Sequence, residues 1–121
     1  MLLLDSVILI DHMNERPEAA NFLRRNYDNC VVSPVTRGEV LAGLEGERAS
    51  AARGILDQFP CVNIRGAEGD LAGLLRRRYR WKLPDALQMA VATAYGLTLA
   101  TRNTRDFDPL KHPNVIVPYS L

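Results

Sequence analysis

The sequence predicts an α/β fold, a three-layer sandwich in which helices flank a central parallel sheet. Short apolar segments alternate along the chain with longer segments of helical periodicity, as in proteins whose parallel strands are covered on both faces. The segment 84–95 also carries four alanines, which allow its backbone to approach a neighbouring element closely. The chain has 121 residues, the usual length of one domain, and we expect residues 1–121 to form a single domain.

Five segments are predicted to be strands because they are short and apolar. They lie at residues 2–4, 30–32, 61–64, 97–100 and 115–117. Segments that are apolar on both faces are typical of the buried strands of a parallel sheet.

Five longer segments are predicted to be helices, at residues 17–27, 34–43, 47–58, 67–79 and 84–95. The pair Ser33-Pro34 marks the start of the second helix, since Pro suits the first helical turn. Gly96 marks the end of the fifth helix, because Gly readily adopts the left-handed conformation that closes helices. A short helical turn is expected near Arg105, before the last strand.

Charge and cysteine content narrow the possible classes of protein. The formal net charge is +1, so no strong overall field favours a nucleic-acid or membrane partner. Cys30 and Cys61 lie in predicted strands without metal-binding spacing, which favours reduced thiols and a cytoplasmic location. No apolar segment approaches the length of a membrane span, and the N-terminal leucines lack the basic flank of a signal peptide.

Acidic and amide side chains are predicted to gather at one edge of the sheet. In an open parallel sheet, the carboxyl ends of the strands and the amino ends of the helices share an edge. Asp5 ends the first strand, Glu39 lies in the helix after the second, and Asp85 opens the fifth helix. Asn103 and Asp106 follow the fourth strand. Carboxylates crowded at one edge repel one another, so the sequence predicts a cation among them.

Each of these residues also has a purely structural explanation. Asp5 stands between two apolar runs, where a carboxylate is costly unless it is bonded, but it could serve as a helix cap. Glu39 could be a solvated helix residue, and Asp85 could complement a helix dipole. Asn103 and Asp106 could form a cap between themselves. The remaining acids, including Asp11 and Glu68, are expected on solvated faces or at caps.

Four segments taken together resemble the PIN-domain ribonucleases, and among them the VapC toxins of bacterial toxin–antitoxin pairs. They occur in the family's order and span nearly the whole chain: LLDSVILID (3–11), TRGEV (36–40), LPDALQMA (83–90) and GLTLATRNTRDF (96–107). The resemblance implies a cytoplasmic endoribonuclease that hydrolyses RNA phosphodiester bonds with Mg²⁺ or Mn²⁺. It also implies a homodimer and a cognate antitoxin, whose cationic side chain would occupy the acidic pocket.

The resemblance assigns the metal to Asp5, Glu39, Asp85 and either Asn103 or Asp106. Two departures from the family pattern stand out. The family usually has a small polar residue two positions after the first Asp, where this chain has Val7. At position 103 an Asn replaces the Asp of some relatives, so Asp106 supplies the fourth charge or the site holds one metal ion rather than two.

The residue types also point to a mechanism. Oxygen ligands without Cys or His favour Mg²⁺ or Mn²⁺ over zinc. The catalytic residues would be Asp5, Glu39, Asp85 and Asp106, with Glu39 binding metal or orienting water, and Ser6 or Thr101 holding a carboxylate in place.

A basic stretch precedes Asp85 and mixes cations with the aromatic residues Tyr79 and Trp81. Arg77 and Arg80 in this stretch are candidate RNA contacts. The alternative is a solvated helix end whose cations complement the helix dipole.

Two other functions compete with the ribonuclease. A phosphoacceptor receiver domain has a similar size and a Mg²⁺-binding acidic edge, but it requires an acidic pair after the first strand and a Lys after the last. A catalytically inactive PIN-fold binding module would share the fold without the chemistry. Metal-dependent RNA cleavage separates the first function from both.

Overall fold

Four short parallel strands form the central sheet of the computed structural model, which describes residues 1–121. They are β1 (Leu2–Leu4), β2 (Cys30–Val31), β3 (Thr98–Ala100) and β4 (Val115–Ile116). Their order in the sheet is β2-β1-β3-β4, with every neighbouring pair parallel. The predicted α/β fold with a parallel sheet is therefore confirmed. The connection after β1 leads outward to β2, and the connection after β3 leads outward to β4 on the opposite side. A topological switch point therefore lies between β1 and β3, and α/β proteins bind ligands at such points.

Six α-helices surround the sheet: α1 (Ser6–Met13), α2 (Pro17–Asn26), α3 (Pro34–Leu41), α4 (Gly46–Leu56), α5 (Gly66–Tyr79) and α6 (Leu83–Tyr95). A short 3₁₀ helix follows α2. Pro lies in the first turn of α2, α3 and α6, where its missing N–H has no helical partner to lose. Gly96 closes α6 with φ of +66°, as predicted. None of the helices combines the length and apolarity that crossing a bilayer requires.

Helix α1 was not predicted from the sequence. It starts directly after β1, because the Asp5 carboxylate caps it by accepting a hydrogen bond of 2.9 Å from the Ser6 N–H. Ile8 and Leu9 are buried while Ile10 is exposed, so the apolar run supplies a helical face rather than a strand.

The predicted strand at residues 61–64 was wrong. Only Cys61 forms a β-bridge, which pairs it with Val32 in parallel orientation. Two residues further on, the Asn63 carbonyl accepts a 2.7 Å hydrogen bond from the Tyr95 hydroxyl of α6. Because the backbone is bonded there to a helix side chain, the segment does not extend the sheet.

The hydrophobic core has two halves, one on each face of the sheet. Leu3 and Leu99 point into the half that α5 and α6 cover, while Leu4 and Ala100 point into the half that α1, α3 and α4 cover. Alternation of neighbouring strand residues between the two faces produces this division. Three of the four alanines of α6 are buried and the fourth, Ala94, is exposed. The paired strands β1 and β3 therefore lie between the two halves of the core, with their carboxyl ends side by side.

Candidate active site

Asp5 lies at the switch point and is almost fully buried, with 5% of its surface exposed. Its Oδ1 accepts hydrogen bonds from the Ser6 N–H at 2.9 Å and from Gln88 Nε2 at 3.3 Å. Its Oδ2 accepts one from the Thr101 hydroxyl at 2.6 Å. These three bonds compensate the burial of the carboxylate and fix its orientation. Asp5 thus caps α1, which is its structural role, and it also faces the candidate site.

A network of buried polar side chains lies behind Asp5, and it was not predicted from the sequence. Gln88 on α6 contacts Asp5, Thr36 and Ser33, all of them buried. Ser33 also caps α3 by accepting a 3.2 Å bond from the Thr36 N–H. A polar Gln on the otherwise apolar buried face of α6 was the available signal for this network.

Glu39 projects from α3 at the solvent-exposed side of the site. The Ser6 hydroxyl donates a 3.1 Å hydrogen bond to Glu39 Oε1. Desolvation of its carboxyl raises the pKa of Glu39, the Ser6 bond lowers it, and the charge of Asp5 raises it further. The net shift in the pKa of Glu39 is upward, and burial is its largest cause.

Asp85 occupies the first turn of α6 and is partly buried. Burial is the largest cause that raises its pKa, to about 6, and the charges of Asp106, Asp5 and Glu39 follow in that order. The cation that opposes this shift is Lys82. The four carboxylates therefore share one electrostatic neighbourhood, although they come from four separate segments of the chain.

The loop after β3 carries the last two predicted site residues. The Asn103 N–H donates to the Thr101 hydroxyl at 3.0 Å, and its side-chain amide donates to Asp106 Oδ2 at 3.1 Å. The Asp106 N–H approaches Asn103 Oδ1 at 3.4 Å. Asn103 and Asp106 thus form the cap that the sequence left open, and this cap holds the Asp106 carboxylate within the field that acts on Asp85.

Ser6 and Thr101 each donate a hydroxyl hydrogen to a carboxylate of the group, Ser6 to Glu39 and Thr101 to Asp5. Val7 is partly buried and packs against the apolar core. The hydrogen bond to a neighbouring carboxylate therefore comes from Ser6 rather than from position 7.

The donor set fits a divalent cation with hard oxygen ligands. Carboxylates surround the site, and neither His nor Cys is among the groups that act on Asp85. No three His, Cys, Asp or Glu side chains approach closely enough to form a ready-made cage of ligands. Mg²⁺ usually keeps several waters and takes only one or two protein carboxylates, so its binding does not require such a cage.

The basic stretch lies at the junction of α5 and α6. Arg77 and Arg80 are exposed there, and Arg80 ends α5 with φ of +59°. Trp81 is buried and stacks on Tyr79 with ring centroids 4.5 Å apart. The Trp81 ring therefore fills the core and offers no stacking surface to RNA.

Two acids expected on solvated faces or at caps turned out to be buried. Asp11 is bonded by Arg102 at 2.6 and 2.8 Å and by the Tyr119 hydroxyl at 2.7 Å. Glu68 caps the start of α5 by accepting bonds from the backbone and side chain of Arg65. The partners of Asp11 lie more than 90 residues away in sequence, so no local pattern indicated them.

Comparison with known proteins supports one family. The family model of the PIN domain matches residues 2–112. Ribonuclease VapC19 of Mycobacterium tuberculosis is 28% identical over 127 aligned residues, covering 98% of this chain and all of the relative. A toxin–antitoxin complex from Klebsiella pneumoniae contains a chain that superposes with a TM-score of 0.90 and 34% identity over the full length of both. FitAcB from Neisseria gonorrhoeae is similar in fold, with a TM-score of 0.78 and 22% identity over the full length of both chains.

Proposed function

The chain belongs to the PIN-domain family, and on that premise we propose that it is a metal-dependent endoribonuclease that hydrolyses RNA phosphodiester bonds. The observation that carries the proposal is the convergence of carboxylates at the ends of β1 and β3. Ser6, which follows Asp5, is bonded to Glu39, and Thr101 joins Asp5 to the loop that holds Asp106. The charges of Asp5, Glu39 and Asp106 all act on Asp85. Four carboxylates in one field repel one another, and a divalent cation relieves that repulsion. The similarity to a relative named as a ribonuclease supports the same activity.

Asp5 and Asp85 would hold a Mg²⁺ or Mn²⁺ ion, with Glu39 and Asp106 completing the site directly or through water. When bound, such an ion lowers the pKa of a water molecule and offsets charge on the phosphodiester. The role of the protein is to keep the ligands in place, since Thr101 holds Asp5 and Asn103 holds Asp106.

Glu39 would orient the attacking water and accept its proton. The Ser6 hydroxyl fixes one of its oxygens, which leaves the other free to face the substrate. An upward shift of the pKa makes this carboxylate a better proton acceptor than an ordinary Glu.

The partners follow from the same family. A cognate antitoxin is supported by the similarity to a chain of a Klebsiella pneumoniae toxin–antitoxin complex at 34% identity. We further propose a homodimer located in the cytoplasm, and RNA contacts at the exposed Arg77 and Arg80. Sedimentation of the purified protein as a monomer at micromolar concentration would count against the dimer.

The test of the function is cleavage of RNA by the purified chain. Cleavage should require Mg²⁺ or Mn²⁺, stop in EDTA and return when the ion is restored. Asp5→Asn should abolish it, while Asp70→Asn, the same change at an exposed position of α5, should leave it intact. Cleavage that persists in EDTA refutes the metal mechanism. A folded chain that cleaves no RNA under any condition points instead to the inactive binding module.

A further inference from the structure

Gln88 is a fully buried side chain at the back of the candidate site. It lies one turn after Asp85 on α6, and none of its surface is exposed. Its amide joins α6 to the end of β1 through Asp5 and to the start of α3 through Ser33 and Thr36. Uncharged and unable to transfer a proton, it can influence the site only through hydrogen bonds.

The orientation of the Gln88 amide is determined by its partners. The Asp5 carboxylate accepts hydrogen bonds, so Gln88 Nε2 must face it, and Oε1 then accepts the 2.6 Å hydrogen bond of the Ser33 hydroxyl. The Thr36 hydroxyl donates its hydrogen to the Leu4 carbonyl at 2.8 Å and therefore accepts from Gln88 Nε2 at 2.9 Å. The remaining N–H of the amide points to Asp5 Oδ1 at 3.3 Å. Both amide hydrogens are thus used, and the side chain has no alternative arrangement that satisfies its neighbours.

These bonds determine which oxygen of Asp5 remains available. A carboxylate has about four lone-pair positions, two on each oxygen. On Oδ1 both positions are occupied, by the Ser6 N–H and by Gln88 Nε2. On Oδ2 the Thr101 hydroxyl occupies one position, which leaves the other free. Asp5 can therefore offer a ligand one lone pair, on Oδ2.

We propose that Gln88 is a positioning residue that restricts Asp5 to single-oxygen coordination and thereby favours Mg²⁺ and Mn²⁺ over Ca²⁺. This inference rests on the proposed function, in which Asp5 binds the metal ion. Mg²⁺ is small and demands near-octahedral geometry, which single-oxygen carboxylates provide. Ca²⁺ accepts more oxygens and often takes both oxygens of one carboxylate. Gln88 excludes that second mode by occupying Oδ1.

A purely structural role for Gln88 makes a different prediction. If the amide only joins α6 to α3 and β1, its loss lowers the stability of the fold and affects every metal ion alike. If Gln88 restricts Asp5, its loss changes the preference between ions. The ratio of Mn²⁺ to Ca²⁺ affinity therefore separates the two roles, whereas stability or activity alone does not.

The experiment is calorimetric titration of the metal-free protein with MnCl₂ and with CaCl₂. Gln88→Met keeps the length of the side chain and removes the amide. We expect Mn²⁺ affinity to fall about tenfold, as is typical when a partner of a metal ligand is lost, while Ca²⁺ affinity holds or increases. The matched control is Gln58→Met, at the other Gln of the chain, which is exposed and should change neither affinity.

An unchanged ratio of Mn²⁺ to Ca²⁺ affinity in folded Gln88→Met refutes the inference, even if the variant is less stable. If Gln88→Met does not fold, Gln88→Asn replaces it, because the shorter amide stays polar but withdraws from Asp5. The same fall in the ratio is then expected, and an unchanged ratio again refutes the inference. A wild-type protein that binds neither ion refutes the proposed function itself.

Discussion

The Thr101 hydroxyl donates a 2.6 Å hydrogen bond to Asp5 Oδ2, which joins the residue after β3 to the residue after β1. Both residues are buried, and 96 positions of sequence separate them. The bond spans the topological switch point between β1 and β3. The candidate site is thus built on the two central strands rather than on a mobile loop.

Replacing Thr101 should impair metal binding more than folding. Thr101→Val keeps the shape of the side chain but leaves Asp5 Oδ2 without its donor. We expect a fall of about 10- to 100-fold in Mn²⁺ affinity and in kcat, measured by titration and RNA cleavage, whereas Thr101→Ser should retain most of both. Thr98→Val, at the start of β3, is the matched control, since the Thr98 side chain makes no hydrogen bond to the site. Equal losses in Thr101→Val and Thr98→Val would contradict a specific role for Thr101.

Repulsion among the carboxylates should be measurable as stability. In metal-free protein at pH 7, Asp85→Asn removes one charge from the group formed with Asp5, Glu39 and Asp106. We expect the free energy of unfolding to increase by about 1 kcal/mol and the thermal shift produced by Mn²⁺ to disappear. Thermal denaturation with and without MnCl₂ measures both effects. A variant that loses stability without metal would show that attraction to Lys82, rather than repulsion, dominates at Asp85.

The buried ion pair of Asp11 and Arg102 should contribute more stability than an exposed one. Their side chains are 8% and 27% exposed, against 62% and 27% for Asp57 and Arg37. We expect Asp11→Asn to cost about 2–4 kcal/mol in chemical unfolding, because it leaves Arg102 partly buried without its partner. The matched change Asp57→Asn should cost less than about 1 kcal/mol. Similar costs at the two positions would contradict this account.

The stability supplied by Asp11 should depend on pH. Burial raises the pKa of Asp11, but hydrogen bonds from Arg102 and Tyr119 outweigh it, so the pKa lies below its ordinary value of 3.8. The contribution is therefore complete above about pH 4 and is lost as the pH falls through the folded-state pKa. In urea unfolding at a series of pH values, the difference between wild type and Asp11→Asn should shrink below about pH 4. A stability difference that grows toward low pH would contradict a lowered pKa of Asp11.

The basic stretch can be tested through the salt dependence of RNA binding. If Arg77 and Arg80 neutralise phosphates, the double change to Gln should flatten the plot of log affinity against log salt by about 0.7 for each phosphate that is no longer neutralised. The change should weaken binding to different sequences alike and leave Mn²⁺ affinity unaltered. The matched control is Arg48→Gln with Arg53→Gln, at two exposed positions of α4. An unchanged slope in the first double variant would remove this stretch from the RNA site.

Apart from α1 and the segment 61–64, the sequence by itself determined the order of the elements, and it assigned the acids to one edge of the sheet. Helix signals such as Ser33-Pro34 and Gly96 act on the nearest turn of the chain, so they can be recognised without the rest of the fold. Once strands and helices alternate, parallel pairing brings the ends of the strands to one side. Asp5 and Asp85 could therefore be assigned to one edge without knowledge of the sheet order.

Local ambiguity explains the errors that sequence analysis made. An apolar run such as residues 7–10 suits a buried helix as well as a buried strand, and only the cap at Asp5 starts α1 there. The segment 61–64 has the composition of a strand but lies at the edge of the sheet, where the Tyr95 hydroxyl donates a hydrogen bond to the Asn63 carbonyl.

Only the tertiary structure decided which polar groups touch. Gln88 reaches Asp5 across 83 residues of sequence, and Arg102 reaches Asp11 across 91. The ring of Trp81 is buried in the core, where it stacks on Tyr79. Such interactions depend on how whole elements pack, and the free energy of each is small beside that of the apolar core. The sequence thus indicates at which edge of the sheet the carboxylates lie, whereas packing determines which lone pair of Asp5 remains without a hydrogen bond.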